Sequence, residues 1–172
     1  MSDTEQPGYV YQLMPSPVGK IQLIAGANGL AAILWEGEDF SRIKMTPPSE
    51  DHTHPVLLQT EQQLQEYFDG QRKVFDIPLE LKGSDFQLKV WKALLDIPFG
   101  KTKSYGELAR LTGDPKTVRA VGGALHRNPV SIIVPCHRVI GTSGKLVGFA
   151  GGLDNKTYLL QREGALQQPA LW

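Results

Sequence analysis

A β-branched run, Val130-Ser131-Ile132-Ile133-Val134, stops at Pro135 and hands over directly to Cys136, the only cysteine in the chain. Apolar β-branched residues favour a buried strand. Proline has no N–H to give a ladder. The pattern therefore predicts a core strand ending at Pro135, with Cys136 held where a rigid element gives way to a turn. His137 and Arg138 follow. A free thiol has a pKa of about 8.5, so only a few per cent is thiolate near neutral pH. An imidazole reached through a water, or a cationic neighbour, is what would activate it. The same residues admit a second reading, in which Cys136 is a buried, inert small hydrophobe.

At 172 residues with 41% hydrophobic content, the chain suits one or two small soluble domains. A single cysteine allows no internal disulfide and fits a reducing compartment. The polar stretch Met1–Gly8 has no signal-peptide core, and no apolar run is long enough to span a bilayer. A cytoplasmic protein with no membrane partner is expected. Net charge is zero but unevenly placed. Residues 1–84 hold 6 Lys+Arg and 12 Asp+Glu, whereas residues 85–172 hold 12 and 6. A basic half that carries the cysteine points to a polyanion, with nucleic acid the common choice. Internally matched halves are the alternative.

The N-terminal half reads as a three-stranded antiparallel meander, Tyr9–Leu13, Lys20–Ala25 and Leu30–Trp35, with Asn28-Gly29 as its hairpin turn. Glu36–His54 is polar and reads as a loop. His52 and His54 lack partners at metal-ligand spacing, so no metal site is expected. Pro55–Phe68 has Leu57, Leu64 and Phe68 on one helical face. Lys73–Leu79 is a last strand or an extended connector. Domain boundaries are placed at 1–82, 83–166 and a tail at 167–172.

Ser84-Asp85-Phe86-Gln87 forms a capping box, and Phe86, Val90, Trp91, Leu94 and Leu95 give the following helix an apolar face. A second box, Ser104-Tyr105-Gly106-Glu107, opens a short helix that Gly113 breaks. Asp114 and Pro115 start another through Val118, Val121 and Leu125. The pair has the form of a helix-turn-helix. Its second helix carries Lys116 and Arg119 on one side, with Ala120, Gly122, Gly123 and Ala124 leaving little bulk. Asn128-Pro129 leads into the cysteine run, a glycine-rich segment follows Ile140, and a last helix from about Asp154 ends at Glu163-Gly164.

Pro135-Cys136-His137-Arg138-Val139 closely resembles the active-site signature of the O6-alkylguanine-DNA alkyltransferases, also called methylated-DNA–protein-cysteine methyltransferases. Ser104-Tyr105, Arg119–Ala124, Asn128-Pro129, Gly151-Gly152-Leu153 and Glu163-Gly164 extend the likeness, in order, across most of residues 84–164. The resemblance implies an α+β chain: a small N-terminal antiparallel-sheet domain with a helix, then a mostly helical, winged-helix-like domain with a Pro-Cys-His active-site loop. It implies irreversible, single-turnover transfer of an alkyl group from guanine O6 in double-stranded DNA to Cys136, with O4-alkylthymine left open as a second lesion. No cofactor is implied, and the protein is expected to act as a monomer.

By the same resemblance His137 would take the thiol proton through a water, Glu163 would orient His137, and Asn128 would brace the recognition helix against the cysteine loop. Arg119 would fill the stack vacated by a flipped nucleotide. Lys116, Ala120, Gly122 and Thr142 would join it on DNA. Tyr105 would press on a phosphate and donate to the base, in a pocket shared with Leu125, Val139, Phe149 and Ala150. The carbonyls of Cys136 and Val139 would accept from the guanine amino group, and the Ala150 N–H would face O6. Phe149 and Ala150 stand where several relatives have Tyr and Ser. The residues alone also allow a non-catalytic DNA binder, or a Cys-His-Glu thiol hydrolase that lacks an argued oxyanion hole.

Overall fold

Asn28-Gly29 closes its hairpin because only glycine fits there. Gly29 has φ of 153°, and a Cβ on it would lie 2.6 Å from the Pro78 carbonyl oxygen. The turn joins β2 (Ile21–Ala25) to β3 (Leu30–Leu34), and β1 (Val10–Met14) pairs with β2 antiparallel, Val10 opposite Ala25. This computed structural model describes residues 8–40, 43, 45–141 and 149–165. The chain divides into two compact units, residues 1–82 and 83–172.

One element of the first unit departs from expectation. The stretch read as a loop contributes β4 (Ser49–Glu50), parallel to β1, so the sheet order is β3-β2-β1-β4. The Ser49 and Asp51 N–H groups satisfy the carbonyls of Tyr9 and Tyr11 on the otherwise open edge of β1 (both 2.9 Å). Ser49 and Glu50 are exposed, so no apolar alternation announced the strand. Residues 73–79 form a connector whose Leu79 bridges Leu30. Helix α1 (Pro55–Phe68) buries Leu57, Leu64, Tyr67 and Phe68, and β3 is buried throughout. His54 caps α1, accepting from the Val56 N–H, and His52 pairs with Glu50 (2.6 Å).

In the second unit, Ser84 and Gln87 form the capping box of α2 (Asp85–Leu95). Val90, Trp91 and Leu94 are buried, whereas Leu95, expected on the apolar face, is 45% exposed. The Trp91 indole N–H donates to the Ala124 carbonyl (2.8 Å), which ties α2 to α4 (Val118–His126). Helix α3 (Tyr105–Thr112) starts at the Ser104/Glu107 box and ends at Gly113, whose φ of 141° suits glycine.

The helix expected from Pro115 begins instead as a 3₁₀ turn, Pro115–Thr117, because the Asp114 carbonyl accepts from both the Thr117 N–H and its hydroxyl. Lys116 therefore precedes α4 rather than lying on it. A parallel pair, β5 (Lys103–Ser104) with β6 (Val139–Ile140), and α5 (Leu153–Arg162) complete the unit.

The cysteine run is not a strand. Among the described residues it makes local hydrogen bonds: Ile133 N–H to the Ser131 carbonyl, Val134 N–H to Val130, and Cys136 N–H to Val134 (2.8–2.9 Å). The first is a γ-turn centred on Ile132, whose φ of 75° is a strained conformation for a β-branched residue. Such strain persists only where the surroundings over-determine it. Here Ile132 is 1% exposed, and the Asn128 side chain spans the coil.

Candidate active site

Asn128 is fully buried. Its Oδ1 accepts from the Val130 N–H (3.0 Å), its Nδ2 donates to the Val134 carbonyl (2.8 Å), and its own N–H donates to Leu125 at the end of α4 (3.2 Å). The Cys136 N–H shares that Val134 carbonyl, so one side chain fixes the backbone on which the cysteine stands. Asn128→Ala would strand a buried N–H and weaken the hold on a buried carbonyl, at about 1–3 kcal/mol per unmet group. Chemical denaturation should register a loss of about 2–4 kcal/mol. A loss within experimental error would remove Asn128 from this role.

Cys136–Arg138 form a 3₁₀ turn. His137 is wholly buried, with its Nε2 2.7 Å from Glu163 Oε2. Burial lowers the pKa of His137 against the opposing pull of Glu163, so the ring is neutral at neutral pH. A carboxylate only accepts, so Nε2 carries the proton; this assigns the tautomer. The lone pair is then on Nδ1, which is buried and has no hydrogen-bond partner among the described residues. That is the proton acceptor a thiol needs.

Burial raises the Glu163 carboxyl, but the hydrogen bonds from His137 and Arg138 and the nearby positive charge outweigh it and hold it down at about 2. Because His137 is neutral, the standing positive charge is Arg138. Its Nε and Nη2 donate to the two carboxylate oxygens (2.7 and 3.1 Å), and Nη1 donates to the Ile97 carbonyl (2.7 Å). The sequence suggested Arg138 as a cation for the thiol. Its guanidinium is instead committed to Glu163 and to Ile97.

Cys136, 6% exposed, lines a pocket of about 90 Å³ with Tyr105, Gly122, Leu125, His126, Phe149 and Ala150. Burial, and then the nearby charge of Cys136, raise the Tyr105 pKa, which keeps its hydroxyl protonated as a donor. Of the expected pocket residues Val139 is absent from the lining. It is fully buried, and its carbonyl accepts from Lys156 Nζ (2.6 Å). Lys116, Arg119 and Ala120 are exposed and outside this pocket, and Thr142 lies outside the described residues.

Two residues escaped the sequence reading. Lys156 is fully buried, its pKa lowered by burial to about 8 while the charge of Cys136 opposes the fall. It stands three and four residues before Leu159 and Leu160, on the apolar stripe of α5. A lysine on a stripe that must face the core was the available signal. His126 ends α4, seven residues after Arg119 and so on the same face.

Gly122 and Gly123 occupy that face between them. A Cβ on either would meet nothing within 4 Å, so no internal packing demands glycine there. Each costs a helix roughly 0.5–1 kcal/mol relative to alanine. No contact within the described residues accounts for the bare surface.

Residues 85–165 match the 6-O-methylguanine DNA methyltransferase DNA binding domain, and residues 9–81 match the ribonuclease-like domain of 6-O-methylguanine DNA methyltransferase. The methylated-DNA–protein-cysteine methyltransferase of Methanosarcina acetivorans is 45% identical over 156 residues, 90% of this chain and 98% of that one. The constitutive enzyme of that name from Bacillus subtilis is 43% identical over 155 residues, 89% of this chain and 94% of its own. The Mycobacterium tuberculosis OGT crystallised in complex with DNA superposes with a TM-score of 0.81 at 43% identity, covering 91% of this chain and 93% of that one. With both halves matched and the identity spread over nearly the whole length, the chain belongs to the 6-O-methylguanine DNA methyltransferase family.

Proposed function

We propose that this protein repairs DNA by moving the alkyl group of O6-alkylguanine in a duplex onto Cys136. The observation that carries the reading is the buried His137, whose bond to Glu163 leaves Nδ1 as the basic nitrogen one residue from a thiol that lines a pocket. His137 Nδ1 takes the Cys136 proton through a water, and the imidazolium formed is stabilised by Glu163. The thiolate attacks the alkyl carbon. The S–C bond forms as the C–O6 bond breaks, and the electron pair leaves on guanine, which acquires a proton. The protonated Tyr105 hydroxyl is a donor toward the departing base. Lys156 adds positive charge near the thiolate and steadies the Val139 carbonyl. A thioether is stable, so each chain acts once.

A duplex base cannot reach a buried sulfur, so the nucleotide must leave the stack, at a few kcal/mol. The exposed face of α4 suits the approach to DNA: Arg119 and Ala120 with Gly122 and Gly123 between two cationic or donor side chains. The M. tuberculosis relative crystallised with DNA supports the same partner here. All the groups used lie in one chain, which supports action as a monomer, and the lone thiol suits the reducing cytoplasm. No described helix is long and apolar enough to cross a membrane.

Incubation with a duplex carrying O6-methylguanine tests the reading. The protein should take up one methyl per chain and stop, and Cys136→Ala should take up none. Binding with no uptake, or continuing turnover, would overturn it. The bare helix face carries its own expectation. Gly123→Ala should raise stability by roughly 0.5–1 kcal/mol while slowing transfer from duplex. A variant both more stable and equally fast on duplex would take that face off the DNA.

A further inference from the structure

The geometry points to His126 as the hydrogen-bond donor to a phosphate of the lesion nucleotide itself, an inference that rests on the reading above. His126 shares the pocket with Cys136, yet the two stand at opposite depths: the thiol is 6% exposed, whereas His126 is the exposed member of the lining. A guanine whose O6 substituent meets the thiol has its sugar at the other end of the base. The sugar-phosphate must then leave by the mouth, where His126 stands. Among the described residues no carboxylate lines the pocket to repel or divert it.

The placement on α4 agrees. His126 ends the helix, where the unsatisfied carbonyls present partial negative charge, and a phosphate brought there needs a donor between it and them. An imidazole N–H reaches a phosphate oxygen without adding bulk that would shut the pocket. At the other end of the same face stands Arg119, two turns away, or roughly 10 Å along the axis. The bare Gly122 and Gly123 lie between. One helix face thus holds a side chain for the space the nucleotide vacates and another for the backbone of the nucleotide once it has entered. His126 would act on entry and retention of a DNA-borne base, not on the displacement at carbon.

The test compares His126→Ala and His126→Arg with the unaltered protein on two substrates: a duplex oligonucleotide carrying O6-methylguanine, and free O6-benzylguanine, which has no phosphate. His126→Ala should lower the second-order rate on duplex by about tenfold, the scale of one hydrogen bond to a charged acceptor. The rate on the free base should fall by much less than the rate on duplex, and thermal unfolding should show that the variant is folded. His126→Arg should recover most of the duplex rate. Replacing each phosphate that flanks the lesion by a neutral methylphosphonate, one at a time, should abolish the gap between the unaltered protein and His126→Ala at one of the two positions.

Equal losses on duplex and free base would make His126 a wall of the pocket and overturn the assignment. So would an unchanged duplex rate, or a gap that survives both methylphosphonates. If the unaltered protein leaves Cys136 unmethylated, the repair reading falls and this inference with it. If it methylates normally and the gap is absent, only the inference falls.

Discussion

Glu163→Gln should destabilise the protein by about 3–5 kcal/mol, the usual cost of removing one partner from a buried ion pair. Glu163 is 4% exposed and Arg138 6%. The amide would leave the guanidinium buried without its counter-charge, and its NH2 would have to face either His137 or Arg138, each of which now donates to its own carboxylate oxygen. Methyl transfer from free O6-alkylguanine should fall along with stability, because the displacement itself loses its base. The pH profile separates the pair from general damage. The folded carboxyl lies at about 2, below its ordinary value of 4.5. Its contribution is therefore complete above about pH 5 and is lost as pH falls toward 2. Acid denaturation of the unaltered protein should steepen in that window, and Glu163→Gln should flatten it. A variant with unaltered acid stability would contradict the ion pair as described.

Arg119→Ala should show the opposite substrate pattern. Arg119 is exposed and outside the pocket, so it has no part in ionising the thiol. If it occupies the gap left by a flipped nucleotide, its loss restores a flipping penalty of a few kcal/mol. The rate on duplex should fall on the order of a hundredfold. Free O6-alkylguanine has no stack to leave, and its rate should be unchanged. Removing one cation should also lower the slope of log affinity against log salt by about one. Equal losses on both substrates would discard the role in flipping.

The elements read correctly from the residues were those specified by local chemistry. Both capping boxes, Asn28-Gly29, the break at Gly113 and the stripe of α1 each act within a few residues. Three others turned on a particular hydrogen-bond partner that composition does not show. The cysteine run has the composition of a strand, but Asn128 takes the N–H of Val130 and the carbonyl of Val134 and winds the stretch into turns. β4 forms because β1 has an open edge, not because Ser49-Glu50 favours a strand. Lys116 leaves the recognition helix through a competition for one carbonyl at Asp114.

The site divides in the same way. Cys136 and His137 were visible as neighbours in the chain. Glu163 was brought in by resemblance and is seen here accepting from His137 and Arg138. The commitment of Arg138 to Glu163 depends on a residue 25 positions away. Lys156 meets Val139 across 17, and neither pairing leaves a local pattern. The helical period did carry a warning for Lys156, a cation on the stripe that includes Leu159 and Leu160.

The sulfur of Cys136 is the predicted final resting place of the alkyl group. After incubation with a duplex carrying one O6-methylguanine, trypsin should release the peptide Asn128–Arg138, and mass spectrometry should read the added methyl on its cysteine. One methyl on Cys136 for each lesion lost is the predicted result. Lesions that disappear while this peptide keeps its original mass, or a methyl on any other residue, would contradict the account at its centre.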